Sequence, residues 1–351
     1  MLLSELHQQQ GAQLAADGIP LHYGDLAGEY HAALQEAVLM DRSHEARLLL
    51  NGADRLKLLQ RMSTNDVLKL AENEGCPTLF TNPNARILER AFVYRRGENT
   101  LVISEPGRGE ALRQYLQRNI FFNDAVGLSE ITAQTNLLAL HGPQADTVIE
   151  NLFGVLPEHG LETTLEGGAV FVGRRKPVSG RHWIFVVAAE QAAAIWGRIM
   201  ETGRAQGLRP AGSLTYNTLR IRAGRPAAGR ELSPDYIPLE IGLWDEVNFH
   251  KGCYTGQEII ARMESRRRLA RTIVQLSLSA AVDAPAELSY AGHAIGRLTS
   301  SVTTPDGEHM GIGVVKVSAA VIGLQYNCGQ AQATVSALAG AQPLELLEEK
   351  Q

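Results

Sequence analysis

Apolar residues in the first third of the chain recur at helical spacing, in segments separated by short runs that are typical of strands. Glu29 to Leu39 and Ala53 to Met62 have this spacing and predict two helices. Arg47 to Leu50 predicts a strand that ends at an Asn-Gly turn, and Ala91 to Tyr94 with Thr100 to Ile103 predicts a hairpin. Helices and paired strands therefore share one region, which indicates an α+β fold.

The mixed pattern continues to about residue 222. Further helices are predicted at Glu110 to Arg118, from Pro143 onward, at Gln191 to Ala205 and at Ser213 to Arg222. Buried strands are predicted at Leu137 to Leu140, Ala169 to Val172 and Trp183 to Val187. We expect an α+β arrangement rather than a doubly wound parallel sheet.

Beyond about Arg271 the pattern changes to short β-rich runs separated by Gly, Pro and Asp-Gly turns. The runs at Ile273 to Leu278, Ala294 to Leu298 and Ile312 to Val317 predict a small all-β domain at the C-terminus. The arginine-rich segment Arg262 to Arg271 is the natural boundary. We therefore divide the chain into an α+β region at 1–265 and a β domain at 266–351.

Composition narrows the class of protein. The 351 residues are 44% apolar and 20% charged, which is typical of a folded globular chain of two to three domains. A formal charge of -5 gives no general attraction to nucleic acid or anionic membranes. Three distant cysteines, no signal peptide, no apolar run long enough to cross a bilayer and no coiled-coil heptads favour a monomer in the reducing cytoplasm.

The segment from Pro238 to Arg262 carries most of the candidate chemistry, because glycines, a cysteine and charges crowd between apolar edges there. Thr255 to Glu258 has the form of a capping box and predicts the start of a helix. This structural interpretation leaves Lys251, Cys253, Tyr254 and Gln257 without a role.

Cys253 lies just before this predicted helix and two residues from Lys251. The positive end of a helix and a nearby ammonium group both favour a thiolate, so Cys253 is a candidate for a reactive or iron-ligating thiol. The alternative is an inert buried cysteine, which is the commoner fate of a lone cysteine. His250 and Cys253 have the spacing of two metal ligands, but no second pair lies nearby, so no permanent metal centre is predicted.

The octapeptide Lys251 to Glu258, KGCYTGQE, resembles the signature of the YgfZ family of folate-binding, iron–sulfur-associated proteins. The wider chain, from about residue 20 to 320, resembles the glycine cleavage T-protein superfamily to which that family belongs. Asp41 to Glu45 with Arg47, Thr64 to Asp66 and Gly292 to Ser301 carry this second resemblance.

The resemblance implies a T-protein-like three-domain ring, in which two interwoven α+β subdomains form a tetrahydrofolate cleft and a C-terminal β-barrel closes it. By the same similarity Glu240 grips the pterin, since a carboxylate accepts two parallel hydrogen bonds from such a ring. Asn65 and Asp66 are candidates to line the pocket. The alternatives are a solvated loop glutamate at position 240 and an ordinary turn at Thr64 to Asp66.

An arginine cluster follows the octapeptide and includes Arg262, Arg266, Arg267, Arg268 and Arg271. Its simplest interpretation is a solvated linker face. It could also attract the polyglutamate tail of a folate, for which Arg262 is a candidate ligand, or the backbone of a tRNA. No signature of direct base recognition accompanies it, so direct nucleic-acid binding is not expected.

One departure from the superfamily bears on the reaction. Where T-proteins carry an Asp-Asp pair that includes the catalytic aspartate, this chain has Leu88, Glu89 and Arg90. Aminomethyl transfer needs a carboxylate near the reacting folate nitrogen. The replacement argues against that activity, although Glu89 could substitute.

The resemblance thus implies a folate-dependent accessory protein for assembly or repair of iron–sulfur clusters in client enzymes, including those that modify tRNA, rather than a self-sufficient enzyme. In that role Cys253 is the redox-active or ligating thiol and Lys251 favours its thiolate. Tyr254 and Gln257 shape the cleft around it. The alternatives are an aminomethyltransferase-like one-carbon transfer enzyme, and a folate-sensing interaction protein in which Cys253 is incidental.

Overall fold

A computed structural model describes residues 1–266 and 269–341, and α-helices and mostly antiparallel sheets alternate along them. The helices are α1 Leu3–Gln9, α2 Leu26–Gln35, α3 Arg55–Met62, α4 Gly109–Arg118, α5 Ala145–Phe153, α6 Ala192–Thr202, α7 Ser213–Arg222 and α8 Gln257–Ser265. None of the helices in these ranges is both long and apolar enough to span a membrane. The predicted α+β class is confirmed.

The strands of the first part of the chain are β1 Gln13–Leu14, β2 Pro20–His22, β3 Val38–Asp41, β4 Glu45–Asn51, β5 Gly75–Thr81, β6 Ile87–Arg96, β7 Asn99–Pro106, β8 Gly127–Glu130, β9 Thr135–Gly142, β10 Gly160–Leu165, β11 Gly168–Arg174, β12 Arg181–Ala188 and β13 Arg209–Pro210. Those of the C-terminal part are β14 Arg271–Leu278, β15 Ala286–Tyr290, β16 His293–Thr303, β17 His309–Lys316, β18 Gln325–Cys328 and β19 Ala331–Leu338.

The chain forms two compact units that are not continuous in sequence. Unit 1 contains Met1–Leu59, Val67–Pro77 and Ala91–Leu219. Unit 2 contains Gln60–Asp66, Thr78–Arg90 and the residues from Arg220 onward. Two short N-terminal segments therefore belong with the C-terminal part of the chain.

Unit 1 is organised around a six-stranded sheet of order β10-β11-β12-β9-β3-β13. Val148 and Ile149 of α5 and Ile195 of α6 are buried in one core cluster with Trp183 and Phe185 of β12. Helical spacing brings these apolar residues to one face of each helix, as expected for helices that cover a sheet. A five-stranded sheet has the order β5-β6-β7-β4-β8, and its strands β5 and β6 run on into unit 2.

A buried ion cluster lies within unit 1. Glu45 accepts hydrogen bonds from Nε of Arg42 at 2.8 Å and from Nη1 of Arg175 at 2.7 Å, and its side chain is 7% exposed. Burial alone disfavours the carboxylate, but the guanidinium groups of Arg175 and Arg42 outweigh it and lower the pKa of Glu45 to about 2. The Arg42 guanidinium also stacks on the Tyr216 ring, 3.8 Å from its centroid.

Unit 2 contains a closed six-stranded barrel of order β14-β17-β16-β15-β18-β19, which confirms the predicted C-terminal β-barrel. Its interior is apolar and includes Leu276, Leu298 and Tyr326. The remaining core of unit 2 joins Ile273 and Ile312 of the barrel to apolar residues within and on either side of the octapeptide: Leu239, Ile241, Leu243, Trp244, Tyr254 and Ile260. This shared core holds the octapeptide against the barrel.

Two local predictions were wrong. Thr255 does not cap α8, because Gly256 is the N-cap residue, with φ 85°, and no side chain caps this end. The carbonyl of Thr255 accepts a hydrogen bond from Oγ1 of Thr81 at 2.6 Å. The helix predicted over Glu29 to Leu39 ends earlier, at Gln35, because β3 begins at Val38. The hairpin predicted around residues 91–103 is confirmed as β6 and β7.

Replacement of Glu45 by Gln is expected to lower the free energy of unfolding by about 3 kcal/mol at pH 7, because it leaves two buried guanidinium groups without a counter-charge. The carboxylate has a lowered pKa, so its contribution is present above its ordinary value of 4.5 and is lost as the pH falls toward 2. Urea denaturation at pH 7 and pH 3 measures this difference. Glu162→Gln, which removes a half-exposed partner of Arg96, is the control and should change stability by less than about 0.5 kcal/mol. Equal effects of the two variants would contradict the prediction.

Candidate functional site

Lys251 binds the segment that follows α3. Its Nζ donates to the carbonyl oxygens of Gln60 at 2.7 Å, Ser63 at 2.7 Å and Asn65 at 2.6 Å. An ammonium group has three donors, and here all three have a backbone acceptor. Lys251 is 6% exposed, so these bonds are shielded from competing water. A direct hydrogen bond from Lys251 to the Cys253 thiolate would require one of them to be replaced.

A second set of hydrogen bonds, made by Thr64 and Asn65 of the same segment, also holds it in place. The Thr64 hydroxyl donates to the carbonyl of Glu246 at 2.7 Å, and the Thr64 carbonyl accepts from the backbone N–H of Asn248 at 2.9 Å. The Asn65 backbone N–H donates to Oγ1 of Thr78 at 2.9 Å. Residues 60–66, which comprise the end of α3 and the turn that follows it, are therefore braced within unit 2, and we call them the braced turn.

Asn65 and Asp66, the predicted pocket residues, lie on this braced turn and are both partly exposed. Oδ1 of Asn65 accepts from the backbone N–H of Asp66 at 2.9 Å. Oδ1 of Asp66 accepts from Nε2 of Gln60 at 3.0 Å. These bonds fix the directions of both side chains while leaving part of each accessible.

Arg90, the arginine of the Leu88–Arg90 segment, forms a two-point ion pair with Glu246. Its Nε and Nη2 lie 2.7 and 2.6 Å from the two carboxylate oxygens. Glu246 is fully buried and Glu89 is 5% exposed. Bidentate pairs of this kind are strong and directional. A fixed guanidinium, already matched to a carboxylate, therefore occupies this position.

Cys253 is exposed, and buried residues flank the short stretch that presents it. Lys251 is anchored by three carbonyls, and the Tyr254 ring is 7% exposed. The Lys251 ammonium lies 5.3 Å from the centroid of that ring. Burial raises the pKa of Tyr254 to about 12, so its hydroxyl stays protonated near neutral pH. Gly252 and Cys253 consequently project from two fixed anchors.

The two glycines of the octapeptide differ in their surroundings. Gly256 has a positive φ, and a Cβ atom there would lie 2.8 Å from the carbonyl oxygen of Asn82. A Cβ atom at Gly252 would meet nothing within 4 Å. Gly256 is required by the backbone, whereas packing within the chain places no such demand on Gly252.

Glu240 has different partners from the braced turn. Its carboxylate lies 3.3 and 3.4 Å from nitrogen atoms of Arg271, 3.7 Å from Arg86, and accepts from the backbone N–H of Ile237 at 3.2 Å. Glu240 is 6% exposed, so it is not the solvated loop residue of the simpler interpretation. A pterin that used both of its oxygens would have to displace Arg271.

The remaining predicted residues lie on or beside α8. The side-chain amide of Gln257 is 3.4 Å from the Lys251 carbonyl. The Arg262 guanidinium is exposed and makes no hydrogen bond or ion pair with the described part of the chain. Arg267 and Arg268 of the arginine cluster lie outside the described residues.

Sequence reasoning missed Glu246. A signal was available, because an arginine next to the apolar strand residues Ala91 to Tyr94 requires a counter-charge, and Glu246 lies in the same chemistry-rich segment as Cys253. Within residues 1–266 and 269–341, no group of three or more His, Cys, Asp or Glu side chains is placed to hold a metal ion.

Comparison with known proteins identifies the class to which this fold belongs. The chain has the fold of the glycine cleavage system aminomethyltransferase T of Bartonella henselae, with a TM-score of 0.83 and 22% identity over 98% of this chain and 96% of that one. The GCVT N-terminal domain family matches residues 3–251, and the chain belongs to this family.

Similar relatives carry transferase names. A chloroplastic protein of Arabidopsis thaliana, named as a candidate transferase, is 30% identical over 91% of this chain and 74% of its own length. Aminomethyltransferases of Shouchella clausii and Desulforamulus reducens are each 28% identical, over 91% and 93% of this chain and 90% and 92% of their own lengths.

Gly256→Ala is expected to lower the free energy of unfolding by about 2 kcal/mol, because alanine disfavours a left-handed backbone and its Cβ would press on Asn82. Gly252→Ala, the matched control, should change stability by less than about 0.5 kcal/mol. Chemical denaturation of both variants measures the difference. A loss at Gly252 as large as that at Gly256 would be inconsistent with this backbone assignment.

Lys251→Met is expected to lower the free energy of unfolding by about 3 kcal/mol, because three buried carbonyls lose a charged donor. Chemical denaturation of the variant and of the wild-type chain measures this loss. Lys251→Arg should not restore stability, since a planar guanidinium cannot reproduce the three directions of an ammonium group.

The control is Lys57→Met, which removes an exposed lysine paired with Asp54 and should cost less than about 0.5 kcal/mol. If Lys251→Met left the free energy of unfolding unchanged, Lys251 would not act as a brace.

Proposed function

We propose that this chain is a YgfZ-type member of its family, a tetrahydrofolate-binding accessory protein that supports the assembly or repair of iron–sulfur clusters in client enzymes, including tRNA-modifying ones. The observation that carries the proposal is the exposed Cys253, presented within the KGCYTGQE octapeptide between two buried anchors. An accessible thiol at a fixed place suits contact with a second protein or a cluster in transit.

The cluster is cargo in this proposal. One cysteine supplies one of the several thiolate ligands that an iron–sulfur cluster requires. The other ligands would come from a client protein or a small thiol, since no group of three or more His, Cys, Asp or Glu side chains in the described residues is placed to hold a metal ion. Exposure of the thiol is a condition for such shared ligation.

The residues of the braced turn fit a folate ring in their chemistry. A pterin edge offers N–H donors, and Asn65 and Asp66 carry oxygen acceptors whose directions are fixed. Tyr254 and Gln257 are the further candidates for contact with the ring, Glu240 is a candidate once Arg271 is released, and Arg262 is a candidate for the folate tail. Bound tetrahydrofolate would supply a reduced ring able to carry one-carbon groups.

The Arg90–Glu246 pair supports an accessory role over aminomethyl transfer. Transfer needs a carboxylate able to handle charge at the reacting nitrogen. Both oxygens of Glu246 are bound to Arg90, which itself replaces the aspartate of T-proteins.

The names of the aminomethyltransferase relatives favour the second candidate, a one-carbon transferase. Glycine-dependent formation of methylenetetrahydrofolate with a lipoyl carrier would identify that activity.

The proposal also implies a cellular compartment, an oligomeric state and a set of partners. All three cysteines are free thiols, which fits a reducing compartment, and we infer the cytoplasm. We infer a monomer whose partners are folate and iron–sulfur client or assembly proteins.

The proposal is tested by rescue of tRNA methylthiolation in a bacterial strain that lacks its own YgfZ protein. The wild-type chain is expected to restore the modification, and Cys253→Ser is expected to lose it at least about tenfold while keeping its unfolding midpoint, since serine is a poor ligand for iron. Cys76→Ser, the matched thiol control, should rescue. Quantitative mass spectrometry of tRNA nucleosides measures the outcome.

Three results would contradict the proposal. Failure of the well-expressed wild-type chain would reject the iron–sulfur role. Rescue by Cys253→Ser together with failure of Glu240→Ala would favour the folate-sensing protein without thiol chemistry. Loss of folding in Cys253→Ser would support an inert structural cysteine.

A further inference from the structure

A cleft of about 250 Å³ lies within unit 2, at some remove in sequence from the octapeptide. It is lined by the loop that follows α7, by the residue before β15 and by β16: Gly229, Arg230, Ser233, Asp235, Tyr236, Pro285, Arg297 and Thr299. None of these residues has a part in the function proposed above.

The floor of the cleft is rigid because of a buried carboxylate. Glu231 is fully buried and accepts from the hydroxyls of Thr299 at 2.5 Å and Ser300 at 2.8 Å. It also accepts from the backbone N–H of Ala227 at 3.0 Å and lies 3.7 Å from Arg220. These bonds fix the loop to strand β16, so the residues that line the cleft keep their relative positions.

Two guanidinium groups of the cleft lack a carboxylate partner. Arg297 is exposed and forms neither a hydrogen bond nor an ion pair with any described residue, although Glu287 faces it across the β15–β16 pair. Arg230 donates only to the carbonyl of Ala284, at 3.2 Å. Most of their N–H donors are thus available to a ligand.

Two hydroxyl groups add to this donor set. The Tyr236 hydroxyl has no hydrogen-bond partner in the described ranges, and burial raises the pKa of Tyr236, which keeps it a donor. Oγ of Ser233 accepts from the backbone N–H of Asp235 at 3.3 Å, and its own hydrogen is left to donate. Asp235 supplies the one carboxylate among the lining residues, so positive charge is in excess by one.

We propose that this cleft is a binding site for the oxyanion group, phosphate or carboxylate, of a small molecule, held by Arg230 and Arg297 with Tyr236 and Ser233 as additional donors. Guanidinium groups match both oxyanions through parallel hydrogen bonds. The site does not include Cys253, and it adjoins the proposed folate ligand Glu240 through Arg271, which pairs with Glu240, donates to the carbonyl of Asp235 at 2.9 Å and lies over the Tyr236 ring. The nearby carboxylate of Asp235 repels the ligand and sets an upper limit on its negative charge.

The test is calorimetric titration of the full chain with inorganic phosphate and, separately, with glutarate, at constant ionic strength set by sodium chloride. Arg297→Gln and Arg230→Gln are each expected to weaken binding about tenfold, because a charged donor is lost. Asp235→Asn is expected to strengthen it, since a repelling charge is removed. Arg118→Gln makes the same charge change at an exposed site of unit 1 and should leave binding unchanged.

The two probes separate the sources of the oxyanion. Binding of phosphate alone assigns a phosphate ester, binding of glutarate alone assigns a carboxylate, and binding of both supports the general oxyanion site. The proposal is overturned if neither phosphate nor glutarate shows saturable binding, or if Arg118→Gln weakens binding as much as the cleft variants do. Thermal unfolding of each variant checks folding, and Arg297, with no partner to lose, keeps the test valid should Arg230→Gln unfold.

Discussion

The candidate site depends on one contact, the ammonium group of Lys251 with the carbonyls of Gln60, Ser63 and Asn65. Buried carbonyls at the end of a helix carry partial negative charge and need donors. Lys251 meets that need for a turn that lies 186 to 191 residues earlier in sequence. The contact therefore closes a very long loop and fixes the position of Asn65. Because Lys251 is the first residue of the octapeptide, the same contact fixes the backbone from which Cys253 projects.

The Arg90–Glu246 pair complements this contact. Thr64 bonds to the backbone of Glu246, and the Glu246 side chain holds Arg90, so the turn, the strand that carries Arg90 and the segment before the octapeptide form one bonded unit. Removal of either charge would leave the other without its ion-pair partner in a largely buried site. Because Arg90 binds both oxygens of Glu246, this buried carboxylate has a structural role, which leaves less scope for acid–base chemistry there.

Much of the fold could be predicted from periodicity, and the failures have physical causes. Amphipathic helices such as α5 and α6 and the β6–β7 hairpin carry strong local patterns. The short strands β15 and β18, in contrast, are specified by closure of the barrel and not by their own sequence. The capping box at Thr255 and Glu258 failed because Gly256 adopts a left-handed backbone that moves the helix start by one residue and turns Thr255 toward Thr81. The sequence predicted which residues belong to the candidate site but not their hydrogen-bond partners. The contacts of Lys251 and Glu246 join residues far apart in sequence, and local patterns carry no information about such contacts.

The arrangement around Cys253 explains how one exposed thiol can have a defined position. Exposed cysteines on loops usually sample many orientations, and a partner must order them at an entropic cost. Here Lys251 and Tyr254 are buried on either side of two exposed residues, so little conformational freedom remains to be lost when a partner binds. Gly252 adds no bulk beside the thiol, and packing within the chain does not require it. A glycine there keeps the approach to Cys253 open, which is the property that a thiol shared with a second molecule needs.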